Sequence, residues 1–402
     1  MTGQITRRCA AITLIGTLAA FSVASAAEPA LQQPEDVEGI EPSPSDDDPL
    51  AGGEDLLNLD LDQLARADVK VTALGEVGLD TVVSTVSRTD TSVRQTPSAV
   101  YVLTQEMIHR SGARNVMEAL RTVPGLHVAR INANAWAISI RGFNGSFADK
   151  LLVQIDGRPI YNQFFSGVFW ELQLIPLQDI ERIEVIRGSG GAVWGANAVN
   201  GVINVVTKDS RDTTGVFAEG GGGNEHRSFS HARVGGQIGK NANYRVYGAQ
   251  IDEDSGLVPL GDPADARRGT QVGFRLDWRP NCDDTITLQG DLADVTQGVG
   301  APGNENSLGN ILWRWNRQID DDTDWSVQAY YDRLKVDYGP GSLLADVVWQ
   351  NSTDLDAKLH KVLGAHEWVC GIGYRNYETF NASGPGQALD FEPDKDVFDS
   401  VS

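Results

Sequence analysis

Three groups of residues in this sequence have types and spacings that could do chemistry. The strand-like run Ile180 to Ile186 leads into Arg187-Gly188-Ser189-Gly190-Gly191, a glycine-rich turn of the kind that cradles phosphate. Its context excludes that chemistry. No Lys-Ser or Lys-Thr follows, the third glycine is misplaced for a dinucleotide fingerprint, and Ala196 to Gly201 leads to a strand where a helix should begin. Tight turns and close backbone approach account for these glycines. Second, His109, His127, His226, His231, His360 and His366 offer imidazoles for haem or metal, but their spacing makes no tight ligand set, so no metal site is expected. Third, Cys282 falls in a short turn and Cys370 lies mid-strand beside Trp368, Ile372 and Tyr374. They are too few for a disulfide scaffold and are expected to lie far apart. No catalytic residue and no cofactor follow from these groups, and the chain is read as a non-enzyme.

The elements that carry these residues divide along the chain. From Ser98 to Lys208 the pattern is a compact α/β unit. Ser98 to Thr104 reads as a strand, and Thr104 can cap a helix through Met107 and Ile108 that Ser111-Gly112 breaks. A second helix carries Val116, Met117, Ala119 and Leu120 before Pro124-Gly125. Short strands at 126–130, 137–141, 151–155, 180–186 and 201–207 are joined by turns such as Arg141 to Gly145 and Asp156-Gly157-Arg158-Pro159. Asp90 to Lys208 holds nine acids and eleven bases, a balance suited to specific pairs.

Beyond Thr207 the period becomes two. Val272, Phe274, Leu276 and Trp278 alternate with Gln271, Gly273, Arg275 and Asp277, and Trp325, Val327, Ala329 and Tyr331 alternate with Ser326, Gln328, Tyr330 and Asp332. Runs of about ten residues, with aromatics near their ends and short connections alternating with long ones, are the pattern of outer-membrane barrel strands. No other stretch supplies a membrane-spanning helix, so a membrane form of the mature protein has to be a barrel.

The N-terminus reads as an address label. Arg7 and Arg8 precede the apolar run Cys9 to Val23, and Ala24-Ser25-Ala26 offers a cleavage site, which makes 1–26 a signal peptide for export. Cys9 follows charged residues, which disfavours a lipoprotein. The formal charge of the 402 residues is -22, but 28–68 alone carry thirteen acids and one base. More than half of the imbalance therefore lies in that stretch, nearly all of it in 27–67, a solvated acidic linker of Pro, Asp, Glu, Ser and Gly with a short helical stretch from Leu56 to Ala67. Nucleic acid is excluded as a partner, because phosphate binding needs a basic surface. Asp68, Val69, Lys70, Val71, Thr72 and Ala73, within 68–75, alternate β-branched and polar residues. They can lie extended for addition to another protein's sheet edge, or form an ordinary first strand.

The sequence from about Thr89 to Lys208 resembles the plug of TonB-dependent outer-membrane receptors. Thr96 to Thr104 (TPSAVYVLT), Ala119 to Gly125 (ALRTVPG), Ile138 to Phe143 (ISIRGF), Leu152 to Pro159 (LVQIDGRP) and Ile180 to Gly188 (IERIEVIRG) stand in the family's order. Val193 to Lys208 (VWGANAVNGVINVVTK) completes it. The resemblance implies an α+β plug domain at 89–208 followed by an antiparallel transmembrane β-barrel at 209–402, with Asp68 to Ala73 as the TonB box. Family barrels have about 22 strands. Nine strands and the start of a tenth are legible here, so the expectation is a fragment or truncated gene product, the alternative being a shorter barrel that closes by oligomerising.

The resemblance also implies a mechanism. Ligand binds outside, the box is released, and TonB with its inner-membrane motor pulls by strand addition, in an outer membrane whose lipid surrounds the barrel. The ligand is a scarce small molecule such as an iron-siderophore complex, with haem, cobalamin and oligosaccharide also open. The alternative is a non-transporting periplasmic or surface binding protein built on a plug. Asn144, Phe147, Phe164, Phe165 and Trp170 are the ligand candidates, because turns at 144–149 and 163–170 should offer polar tips and exposed aromatics; packing against the barrel wall is the other reading. Among the plug-motif residues Arg141, Gly142, Asp156, Gly157, Arg187, Gly188 and Gly195, the two arginines are expected to pair with acids of the barrel interior.

Overall fold

The computed structural model describes residues 81–86, 91–133, 135–145, 150–163, 166–195, 197–256, 265–298, 304–338, 347–364, 366–382 and 395–401. The chain divides into Met1–Lys70 and Val71–Ser402, and every described residue belongs to the second unit. The leader, the linker and the box at Asp68 to Ala73 lie outside the described residues.

Among the described residues nine strands build the inner part: β1 (Val82–Val83), β2 (Thr91–Ser92), β3 (Val100–Thr104), β4 (Leu126–Arg130), β5 (Trp136–Ile140), β6 (Leu151–Ile155), β7 (Arg158–Pro159), β8 (Ile180–Arg187) and β9 (Gly201–Thr207). Its main sheet has the order β3-β8-β9-β6-β7, with β6 and β9 parallel and the other pairs antiparallel. Two small antiparallel pairs, β1-β2 and β4-β5, stand apart from it. Local chemistry sets the helices. The Thr104 hydroxyl accepts from the Met107 amide at 3.3 Å to start the helix Gln105–Ser111, and Gly112 ends it at φ 69°. Asn115 caps Val116–Leu120 by accepting from the Glu118 amide at 2.9 Å.

These helices bury Ile108, Met117 and Leu120 against Ile138, Ile140, Ile180, Ile183 and Ile203, all at most 1% exposed. Each such side chain contributes about 1.5–3 kcal/mol relative to exposure, which fixes the helices to the sheet. Gly201 is required at this packing. A Cβ there would stand 2.5 Å from both Ile140 Cδ1 and the Ile186 carbonyl oxygen.

Among the described residues the outer part is one ten-stranded antiparallel meander. It runs β10 (Gly215–Gly221), β11 (His226–Ile238), β12 (Ala242–Glu253), β13 (Arg267–Trp278), β14 (Asp284–Gln297), β15 (Asn304–Asp320), β16 (Thr323–Asp337), β17 (Val347–Leu363), β18 (His366–Ala382) and β19 (Lys395–Val401). Its polarity is inverted relative to a soluble sheet. Along β13, Arg267, Gln271 and Asp277 are buried against the inner part, whereas Val272, Phe274 and Trp278 are 50%, 38% and 45% exposed. An apolar outer face over a polar inner face suits lipid outside and a polar lumen inside. Connections at 239–241, 279–283, 321–322 and 364–365 are short, and those at 254–266, 298–303, 338–346 and 383–394 are longer, so the sheet has a short-turn end and a long-loop end.

Candidate functional site

The working surface is the seam between the inner part and the strand wall, and Asp156 organises it. The turn after β6 places Asp156 at φ 50° and Gly157 at φ 78°, backbone conformations that Asp and Gly tolerate best. The Asp156 carboxylate accepts from the Thr207 amide and hydroxyl, both at 2.8 Å, and from Gln289 Nε2 of the wall at 2.8 Å. Arg314 of β15 donates to the Asp156 carbonyl. One turn of chain thus joins β6, β9, β14 and β15.

Wall guanidiniums repeat the theme. Arg275 donates to Thr207 Oγ1 at 3.0 Å, Arg245 to the Lys208 carbonyl at 2.8 Å and Arg267 to the Glu171 carbonyl at 2.7 Å. Arg233 pairs with Asp179, Arg279 with Asp209, and Arg158 of the inner part with Asp332 of β16. Charge-assisted bonds in a buried seam are strong and directional, so they set one seating of the inner part on the wall. Burial alone would raise the Asp179 carboxyl, but His231, Arg245 and Arg233 outweigh it and hold the group below the usual carboxylate range. Burial pushes the Glu171 carboxyl up to about 7, against the opposing pull of its own backbone hydrogen bond and of Arg267.

At the long-loop end the turn 131–135 meets the wall. The Ala133 amide donates to Asp265 at 2.6 Å, Arg130 pairs with Glu225, and the Gln163 amide donates to Gln350 Oε1 at 2.8 Å. Phe169, Leu172 and Leu174 bury against Val295 and Val336 of the wall. Trp136, 4% exposed, lies between Arg121 and Arg130, whose guanidinium carbons stand 5.0 and 5.6 Å from its ring centre. At the short-turn end a cavity of about 580 Å³ lies between Asp156, Gly157, Thr85, Trp194 and Asn204 on one side and β14 to β17 on the other.

The structure distributes the sequence-derived candidates unevenly. Asn144 is exposed, whereas Phe147, Phe164 and Phe165 lie outside the described residues. Trp170 departs from the expectation of an exposed aromatic. It is 2% exposed inside the main core, because the 3-10 turn Trp170–Leu172 turns Trp170 into the plug while Leu172 packs on the wall. Arg141, Gly142 and Gly188 come together: a Cβ on Gly188 would lie 3.6 Å from an Arg141 nitrogen, and Arg141, Gly142 and Gly188 have φ of 57°, 99° and 154°. Arg187 donates to the Pro124 carbonyl at 3.0 Å, and among the described residues neither Arg141 nor Arg187 forms an ion pair with the wall. Gly195, at φ 84°, ends the short helix Gly191–Trp194.

Sequence reasoning missed the 131–135 turn and Glu184. The first carries no charge pattern. The second had a signal, since strand alternation places Glu184 on the same side as buried Ile186.

A family model of the TonB-dependent receptor plug domain matches residues 92–202. Residues 92–202 are thus a TonB-dependent receptor plug domain. The vitamin B12 transporter BtuB of Vibrio vulnificus is 34% identical over 160 residues, covering 39% of this chain and 25% of that protein. BtuB of Photobacterium profundum is 30% identical over 325 residues, covering 74% of this chain and 51% of that protein. The ferric enterobactin receptor of Pseudomonas aeruginosa is 28% identical over 222 residues, covering 49% and 28%. A solved structure of the latter receptor superposes with a TM-score of 0.58 at 18% identity, covering 79% of this chain and 55% of that one. The chain thus spans about half the length, or less, of these relatives. Its inner part is the plug, its wall corresponds to part of the receptor barrel, and these relatives are transporters and receptors, not enzymes.

Proposed function

We propose that the protein works in the cell outer membrane, after export by the 1–26 leader, as an energised uptake receptor for a scarce metal chelate. Asp68 to Ala73 serves as the contact for TonB and its inner-membrane motor. The observation that carries this reading is the inverted wall: apolar side chains outward on β13 and guanidiniums inward, gripping a folded plug through a polar seam. A plug held by hydrogen bonds and ion pairs in a wet lumen closes the pore, yet can yield stepwise to force, which an apolar interface would resist more uniformly. Iron-siderophore and cobalamin complexes are the favoured ligands, since relatives bear those names. Asn144 remains a ligand candidate, joined by the 131–135 turn because it lies against long-loop residues.

The test compares binding with uptake in cells carrying the protein. Labelled cyanocobalamin and a ferric catecholate are each offered to cells with the intact protein and with 68–73 deleted. The reading requires surface binding in both and energised accumulation only with the intact protein. Binding without any accumulation supports the non-transporting alternative, and unchanged accumulation after deletion refutes the box.

A further inference from the structure

The pair Asn-Gly occurs at Asn144-Gly145 and at Asn200-Gly201, and the fold treats the two oppositely. An asparagine before glycine can convert itself, because with no Cβ in the way the glycine nitrogen can reach the asparagine side-chain carbon. Asn144 and Gly145 are both exposed, and among the described residues neither makes a hydrogen bond. A Cβ built on Gly145 would meet nothing within 4 Å. Lys150 Nζ stands 5.3 Å from the ring centre of Phe143, which places a cation beside this turn. Asn200-Gly201 is the contrasting case. The Asn200 amide donates to the Lys150 carbonyl at 2.9 Å, and Gly201 opens β9 buried between Leu151 and Arg187, its partners on either side. The 2.5 Å clearances at Gly201 leave that peptide no room to pucker.

We propose that Asn144-Gly145 is a self-modification site, where the protein exchanges a side-chain amide for a carboxylate as it ages, and that the fold shields Asn200 from the same reaction. Hydroxide takes the proton from the Gly145 backbone nitrogen, and that nitrogen attacks Asn144 Cγ. The new C–N bond closes a succinimide ring as Cγ–Nδ2 breaks, and the departing nitrogen takes a proton from water and leaves as ammonia. Water then adds to one of the two ring carbonyls and opens the ring. Opening at Cγ gives aspartate; opening at the main-chain carbonyl gives isoaspartate, whose backbone runs through the side-chain carbon. The net change is amide plus water to carboxylate plus ammonium, with nothing oxidised or reduced. The ammonium of Lys150 favours both the nitrogen anion and the product carboxylate. Each conversion adds a negative charge to the turn that holds Arg141, and isoaspartate also lengthens its main chain by a methylene. The reaction is a property of the folded chain and does not rest on the uptake reading or on Asn144 touching a ligand.

Ageing the purified protein at mildly alkaline pH, with peptide mapping by mass spectrometry at intervals, reads both sites in one sample. In the folded chain Asn144 should convert at least tenfold faster than Asn200, to a mixture of aspartate and isoaspartate. In urea the two should convert at comparable rates, which shows that the fold makes the difference. Gly145→Ala, for which the structure has space, should slow conversion at Asn144 at least tenfold and leave Asn200 as it was. Converted chains should also separate from fresh ones by ion exchange, through their added negative charge. Equal rates at Asn144 and Asn200 in the folded chain overturn the proposal. So does an Asn144 that converts in urea but persists in the folded protein, and so does a Gly145→Ala chain that ages at the original rate.

Discussion

Thr207 gives both its amide and its hydroxyl to the Asp156 carboxylate, each at 2.8 Å, across two parallel plug strands. The same carboxylate takes Gln289 from the wall, so the bond that closes the plug sheet is also the one that seats it. Asp156→Ala should cost about 1–3 kcal/mol, because it leaves buried donors without an acceptor. Faster hydrogen exchange at Thr207, with the helix Gln105–Ser111 unaffected, is the expected result; equal exchange would show that the wall seats the plug without it.

Glu171 makes the long-loop end of the seam pH-dependent. Its folded pKa of about 7 lies above the ordinary carboxylate value of 4.5, so the folded state binds the extra proton. The contribution is fully present below about pH 4.5 and is lost as pH rises through about 7. Part of the side chain still reaches water, which trims the effect. Exchange protection of 169–174 should fall between pH 5 and 8, and Glu171→Gln should flatten that dependence. A wild-type profile without slope would sink the assignment.

The outward face of β13 tests the wall. Val272→Arg puts a charge into the apolar band at a cost of about 2–4 kcal/mol if the site lies near the bilayer midplane. The inward neighbour Gln271 donates to the Tyr247 hydroxyl at 2.6 Å, so Gln271→Leu perturbs the lumen and not the lipid contact. Folding yield into lipid vesicles should drop for Val272→Arg well below that for Gln271→Leu. The reverse order would mean that the sheet faces the other way.

Cys282 and Cys370 report the same topology chemically. Both are free and exposed, but Cys282 lies in a short turn while Cys370 pairs with Leu359 on the face of Trp368 and Ile372. In a bilayer a charged maleimide should label Cys282 and spare Cys370 until detergent is added. Prompt labelling of both in lipid would contradict an apolar face in contact with lipid.

The sequence by itself determined the local elements and the order of the two parts. Period-two alternation placed strands such as β13 and β16, Thr104 and Gly112 bounded a helix, and a series of short motifs in order identified the plug, because each of these rests on neighbours within a few residues. What only the tertiary structure decided are contacts between distant segments. Trp170 looked exposed in a polar turn, yet the turn folds it into the core, and Glu184 looked like one more strand acid until Ser84 and Thr85 arrived from 100 residues earlier to satisfy it. A carboxylate's partner depends on which chain ends up within 3 Å of it, and spacing along the sequence does not encode that distance.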